Sequence, residues 1–391
     1  MQPLLKELID QYREWFGTQP AMAARAPGRV EILGNHTDYN GGGVLTVAID
    51  RSVVIVGRPL KSNEVRLASQ TLNDRTDFRL DAIEKDPQHP WADYAKGVLA
   101  ELQHCGVEIG GFEALIGGDL PIGSGVSSSA ALELATAHFM KALFPYEMDE
   151  MALAQLGRRA ENEFVGMPCG LLDQFSAQFG QADSFLFLDC RTLEHHAYPL
   201  ASHNVRLVLC ESGVRHELVQ SQYKARRQQC EQARDWLNRQ YQRQAAYLCE
   251  FDWDEWCQHR DALDEETRRR ADHVLLENIR VHQGRQALTG QEIAQLGELM
   301  FQSHASSRDL FENSCPELDS LVSFAQVIEG GIGAKLTGGG FGGAAVNLVD
   351  ESKVAAFIDE IRRLFQERYG HPCQVLACGI GEGAGPIELD I

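Results

Sequence analysis

A turn of small residues runs straight into an apolar helical pattern: Gly118-Asp119-Leu120-Pro121-Ile122-Gly123-Ser124-Gly125-Val126-Ser127-Ser128-Ser129-Ala130-Ala131. Such a turn leaves backbone N–H groups uncovered and aims them outward from the positive end of a helix. That makes an anion site, and a phosphate site in particular. The hydroxyls of Ser127, Ser128 and Ser129 add groups that can reach a phosphate or a metal. No lysine follows, so this is not the Walker A loop, which ends in Gly-Lys-Ser/Thr. The chain is expected to hold a nucleotide by a different solution.

The 391 residues are enough for one large domain or two closely packed lobes. Hydrophobic residues make up 44% and charged residues 24%, so the core needs no disulfide or metal staple. The formal net charge of −20 argues against nucleic acid or an anionic membrane as a partner. It leaves room for a phosphate ligand, because local N–H groups and Mg2+ outweigh a diffuse field. The ten cysteines are scattered with no CxxC pair, which points to free thiols in a reducing cytosol. The first residues are amphipathic rather than signal-like. No apolar run approaches the roughly 20 residues that span a bilayer. A cytoplasmic protein is expected.

Apolar spacing predicts helices over 4–16, 91–105, 126–143, 151–164, 171–179, about 215–244, 259–286, 293–304, 317–328 and 354–369. Strands are predicted over 44–56, 64–69, 112–117, 184–188, 205–210, 334–337, 344–348 and 374–377, and none before Val44. The Arg- and Gln-rich helix after 215 reads as a solvated face. Strands and helices mix in both halves, so the class is α+β or α/β, with a boundary between lobes near residue 200.

Four segments carry chemistry. Ala26–Gly42 clusters Arg29, Asn35, His36, Thr37 and Asp38 beside glycines, a set suited to sugar hydroxyls and to a developing charge. The serine turn is the second. The third is Glu161–Phe175, where Asp173 lies among Leu171, Leu172 and Phe175; a buried acid in apolar company is costly without a partner or a task. The fourth, Thr337–Gly343, formally holds G-x-G-x-x-G. A strand pattern follows it rather than a helix, so the dinucleotide fingerprint is rejected. Its glycines are expected to let backbone pass close to a ligand or another loop. His195 and His196 are adjacent, point to opposite sides and lack an HExxH context, so they read as a surface pair rather than a metal site.

Together these segments resemble the GHMP small-molecule kinases, and among them the galactokinases, over nearly the whole chain. The resemblance rests on Gly28-Arg29-Val30 with His36-Thr37-Asp38-Tyr39-Asn40-Gly41-Gly42, on Pro121–Ala131, on Met167–Phe175, on Gln222–Cys230, on Ser303–Asp309 and on Leu336–Gly343. It implies a two-lobed α+β GHMP-kinase-like fold, 1–200 and 201–391. The N-terminal lobe would carry a left-handed β-α-β crossover (ribosomal-protein-S5-domain-2-like), and the last strand could return to it. It implies ATP-dependent phosphorylation of the anomeric hydroxyl of a galactose-like sugar between the lobes. By the same resemblance Asp173 is the base and Arg29 its support. Asn35, His36, Thr37, Asp38, Gly170 and Tyr223 bind the sugar. Gly123, Ser124, Gly125, Val126, Ser127, Ser128 and Ser129 cradle ATP, and Ser129 and Glu161 hold Mg2+. The expected partners are a small sugar and ATP, with the chain a monomer or weak dimer. A non-catalytic sensor of the same family is the rival class, set aside because Ser129-Ala130 and the residues matching the catalytic motif are present.

One departure bears on the acceptor. The family usually has Asn where Glu31 stands and Glu where Asn35 stands, and that glutamate meets the sugar's C6 hydroxyl. A neutral Asn35 in its place would make a C6-carboxylated or C6-deoxy sugar, galacturonate for example, more tolerable.

Overall fold

The computed structural model describes residues 2–121, 125–200, 204–214 and 219–389. The chain runs α1 (Gln2–Phe16), β1 (Met22–Leu33), β2 (Gly43–Pro59), β3 (Glu64–Ser69), β4 (Asp74–Arg79), α2 (Asp93–His104), β5 (Phe112–Gly118), α3 (Ser128–Leu143), α4 (Glu150–Arg159), α5 (Leu172–Phe179), β6 (Ser184–Asp189) and β7 (His195–Pro199). It continues through β8 (Val205–Glu211), α6 (Val219–Tyr241), α7 (Trp253–His259), α8 (Glu265–Thr289), α9 (Ile293–Ser306), α10 (Pro316–Val327), β9 (Gly331–Thr337), β10 (Ala344–Asp350), α11 (Val354–Tyr369), β11 (Val375–Cys378) and β12 (Gly385–Ile387).

Two sheets organise these elements. The first runs β12-β1-β2-β5-β3-β4, with β6 on β2 and β7 on β6; the second runs β11-β8-β10-β9. Only β3 and β5 pair in parallel among the described strands, joined through β4 and α2. The end of the chain returns to the first sheet, where Ile387 pairs with Ala23. The core under the first sheet draws on α2 and α3 but also takes Val281, Met300, Val346 and Leu348 from the second half. A second core joins β8–β10 to α10 and α11. Removing large apolar side chains from water on this scale is what holds such layers together, at roughly 25 cal/mol per Å².

Several sequence expectations change here. β1 occupies 22–33, where none was predicted; it is buried on both faces, so the alternation that marks a strand is missing. Its pairing with β2 slips between Pro27 and Arg29 and again between Glu31 and Leu33, which re-aims the side chains between. The helix expected over 259–286 is α8, which starts only at Glu265, where Asp264 caps it by accepting from the Thr267 N–H, and the short α7 before it was not predicted. The polar helix α6 is not wholly solvated, since Cys230, Ala233 and Leu237 bury an inner stripe against Trp256 and Val274. All ten cysteines are free thiols, and no described helix is long and apolar enough to cross a membrane.

Candidate active site

β1 brings two charged side chains to one place. Arg29 and Glu31 are two residues apart, and both face a cavity of about 230 Å³ shared with His36, Asp38, Asp173 and Tyr223. Arg29 Nε donates to Asp173 Oδ1 at 2.7 Å, and its Nη1 donates to the Gly125 carbonyl at 2.7 Å. One guanidinium thus ties the acid to the serine turn. Asp173 is not buried as its apolar neighbours suggested. Leu171, Leu172 and Phe175 turn into a separate core, while the Asp173 side chain keeps 24% of its surface open.

The serine turn adjoins this point. Gly118 holds a positive φ of 140°, and a Cβ there would stand 2.1 Å from the Ser52 carbonyl, so only glycine fits. Arg29 N–H donates to the Val126 carbonyl at 3.0 Å, pinning the turn to β1. Ser127, in a left-handed conformation, caps α3, and its hydroxyl donates to Asp173 Oδ2 at 2.5 Å. Gly123 and Ser124 lie outside the described residues. Gly125 through Ser129 line a second cavity of about 500 Å³, with Leu72, Trp91 and Tyr94 elsewhere in its wall. The N–H groups of the first turn of α3 have no partner within the helix, which makes this end of the groove receptive to phosphate. Arg29, Gly338 and Gly339 belong to both walls, so the two cavities meet at Asp173 and Ser127.

The loop after β1 is built by internal hydrogen bonds. Thr37 Oγ1 lies 2.8 Å from the Gly34 carbonyl and 2.6 Å from the Gly43 carbonyl, so its hydroxyl is spent on the turn. Asn35 is equally occupied: Nδ2 donates to the Gly338 carbonyl at 2.9 Å and Oδ1 accepts from Asn313 Nδ2 at 2.9 Å. Both lie behind the cavity wall and do not line it. His36 sits at φ 64°, a strained conformation for a non-glycine residue, and stacks on Phe311 at 4.3 Å. Burial lowers its pKa to about 3, so the ring is neutral. Nε2–H then donates to the Gly339 carbonyl at 3.2 Å and Nδ1 accepts from the Tyr39 hydroxyl at 2.9 Å. Asp38 is pushed up to about 7, first by burial and then by the Asp173 charge. Gly170 allows that placement, because a Cβ there would stand 1.8 Å from Asp38 Oδ2. Tyr223, from α6, closes the cavity against His36 and Tyr39.

Glu161 occupies a single π-helical turn, Ala160–Val165, after α4. Ser129 hydrogen-bonds it, and Gln174 Nε2 donates to it at 2.7 Å. Burial raises its pKa, and Asp173 adds to the rise. Glu133 lies behind, also raised well above the usual carboxylate range by burial. Glu133 Oε1 and Gln174 Oε1 are buried without a partner. Hard oxygen donors short of positive charge fit a small divalent cation, which takes few protein ligands beside substrate phosphates.

Residues that sequence reasoning left out include Glu31, Lys335, Asn313, Trp91 and Tyr94. Lys335 had a signal: a lysine between Ala334 and Leu336, in a strand pattern leading to the glycine cluster, needs a buried partner. Asn313 had none.

The galactokinase galactose-binding signature matches residues 10–59, the GHMP kinase N-terminal domain residues 93–181 and the GHMP kinase C-terminal domain residues 285–367. A galactokinase of Roseiflexus sp. (strain RS-1) is 40% identical over 97% of each chain. The Homo sapiens galactokinase is 38% identical over 99% of each. The crystal structure of Lactococcus lactis galactokinase complexed with galactose superposes with a TM-score of 0.92 at 33% identity, over 98% of this chain and 100% of that one. A mevalonate kinase at 19% identity and TM-score 0.65 shares the fold. By signature, full-length identity and architecture, this chain belongs to the galactokinase family of the GHMP kinases.

Proposed function

We propose that this chain transfers the γ-phosphoryl group of ATP to the C1 hydroxyl of galactose, giving ADP and galactose 1-phosphate. The observation that carries this reading is the place of Asp173, held by Arg29 and Ser127 where the small cavity meets the groove at the start of α3. A sugar in the small cavity puts a hydroxyl beside Asp173. A nucleotide in the groove puts its phosphates on the α3 N-terminus, with its base against Trp91, Tyr94 and Leu72. Asp173 accepts the hydroxyl proton as the sugar oxygen bonds to the γ-phosphorus and the bond to ADP breaks. Such transfers ask mainly for positioning and charge neutralisation. Arg29 offsets charge at the attacking oxygen. Mg2+, held by Ser129 and Glu161, would supply the neutralisation of the phosphates. His36, Asp38 and Tyr223 orient the ring.

The two lobes would divide near residue 200 with the reaction between them. The protein would work in the cytoplasm as a monomer or weak dimer. The test is ADP release in the presence of galactose, galacturonate, fucose and N-acetylgalactosamine. Galactose is expected to be turned over best. Negligible turnover of galactose beside efficient turnover of another acceptor class would sink the reading.

A further inference from the structure

The resemblance leads one to expect a carboxylate at position 35, where this chain has Asn; its carboxylate on the cavity is Glu31. Glu31 faces the sugar-sized cavity, while Asn35 is walled off behind it. Arg29 and Glu31 lie on one strand two residues apart, which spans ~7 Å and returns to the same face. Arg29 fixes Asp173, so the reacting end of a sugar lies at position 29. A pyranose laid along β1 then brings its far end to Glu31.

The carboxylate is held in a definite orientation. Lys335, fully buried in β9, pairs with Glu31 Oε1 at 2.5 Å. Oε2 has one long contact, from Asn35 Nδ2 at 3.4 Å, and so keeps acceptor capacity. Lys335 itself does not line the cavity, so the sugar meets the negative group and not the cation.

Resting on the galactose reading above, we propose that Glu31, paired to Lys335, is the residue that selects the far end of the sugar. It takes a hydrogen bond from a neutral hydroxymethyl group there. A methyl group desolvates Oε2 without giving it a hydroxyl donor, and a carboxylate brings like charge; both are disfavoured. This reverses the tolerance expected from Asn35 alone.

The test uses the full chain and kcat/KM for galactose, 6-deoxygalactose and galacturonate. Wild type is expected to favour galactose over both by ~10- to 100-fold. Glu31→Gln is expected to shrink both preferences by a similar factor. Because that change strands Lys335, the Glu31→Gln/Lys335→Met pair, checked by melting temperature, is measured beside it. Asn35→Ser is expected to lower all three substrates in proportion. Wild type accepting 6-deoxygalactose as well as galactose overturns the assignment, as does a folded Glu31 variant with unchanged preferences, or Asn35→Ser shifting them instead. If wild type turns over none of the three, the galactose reading falls and this assignment with it.

Discussion

The Ser127 hydroxyl donates to Asp173 Oδ2 at 2.5 Å while Arg29 donates to Oδ1 at 2.7 Å. Both oxygens of the acid are thus oriented before a substrate arrives. Asp173→Asn is expected to lower kcat by ~10²- to 10⁴-fold, the usual contribution of a positioned proton acceptor. Ser127→Ala removes one hydrogen bond to a charged group and is expected to cost ~10- to 100-fold in kcat, with nucleotide affinity retained. Arg29→Lys cannot reach Asp173 and the Gly125 carbonyl together, so it should behave like a loss rather than a conservative change. Steady-state kinetics on the three variants checks this; an Asp173→Asn enzyme within a few-fold of wild type would remove the acid from the proton transfer.

Gly170→Ala tests a purely steric link. The added Cβ would stand 1.8 Å from Asp38 Oδ2 and 2.4 Å from its Cγ. Asp38 must move by about an ångström, and a misplacement of that size in a positioned site costs ~10²-fold. The loss should fall on kcat/KM for the sugar. Nucleotide binding, measured by calorimetry, should change little, because Gly170 is not part of the second cavity's wall.

Asp38 gives the sugar step a pH dependence. Burial raises its pKa to about 7, so in the free protein it is protonated below that value and ionised above it. The ionised form accepts hydroxyl hydrogen bonds more strongly, so kcat/KM for the sugar should rise as pH passes up through about 7. The stability sign is opposite: a carboxyl raised in the fold loses stability as pH climbs from its ordinary range to about 7. Asp38→Asn should flatten the kinetic limb and leave a lower plateau. A limb unchanged in that variant would assign it to another group.

How much of this was legible in the sequence follows from the range of the contacts. Helix α3 was predicted within two residues, because its alanines and leucines repeat at helical spacing over a long run. Asp173 and the serine turn stood out because each breaks its local background. β1 did not, since Pro27, Gly28, Arg29 and Glu31 interrupt any strand pattern for reasons that lie elsewhere in the fold. Glu31 and Lys335 are 304 positions apart, and no periodicity connects them. The same distance hid the role of Asn35: its hydrogen bonds to Gly338 and Asn313 remove it from the cavity, and nothing near position 35 announces them.

Glu277 shows what holds the sugar loop in place. It is fully buried on α8 and accepts from the N–H groups of Gly34 and Asn35 at 2.9 and 3.3 Å, from Ser303 at 2.6 Å and from Arg280 at 2.6 Å. Burial alone would raise its pKa, but the Arg280 charge above all, with Lys335, the Ser303 hydrogen bond and, once the pH falls low enough to protonate it, His273, brings it down to about 2. The depressed value means a stabilising contribution that is complete above the ordinary range near 4.5 and is lost as pH falls toward 2, worth about 3 kcal/mol. Glu277→Gln should therefore destabilise the protein by roughly 3–5 kcal/mol at pH 7, since it also strands Arg280. The gap to wild type in urea unfolding should close as the pH is lowered toward 3. The sugar KM should rise with the loss of the two N–H anchors, because Gly34 and Asn35 begin the turn that sets His36 and Asp38. Equal stability of the two proteins at neutral pH would show that Glu277 is not the anchor of this loop.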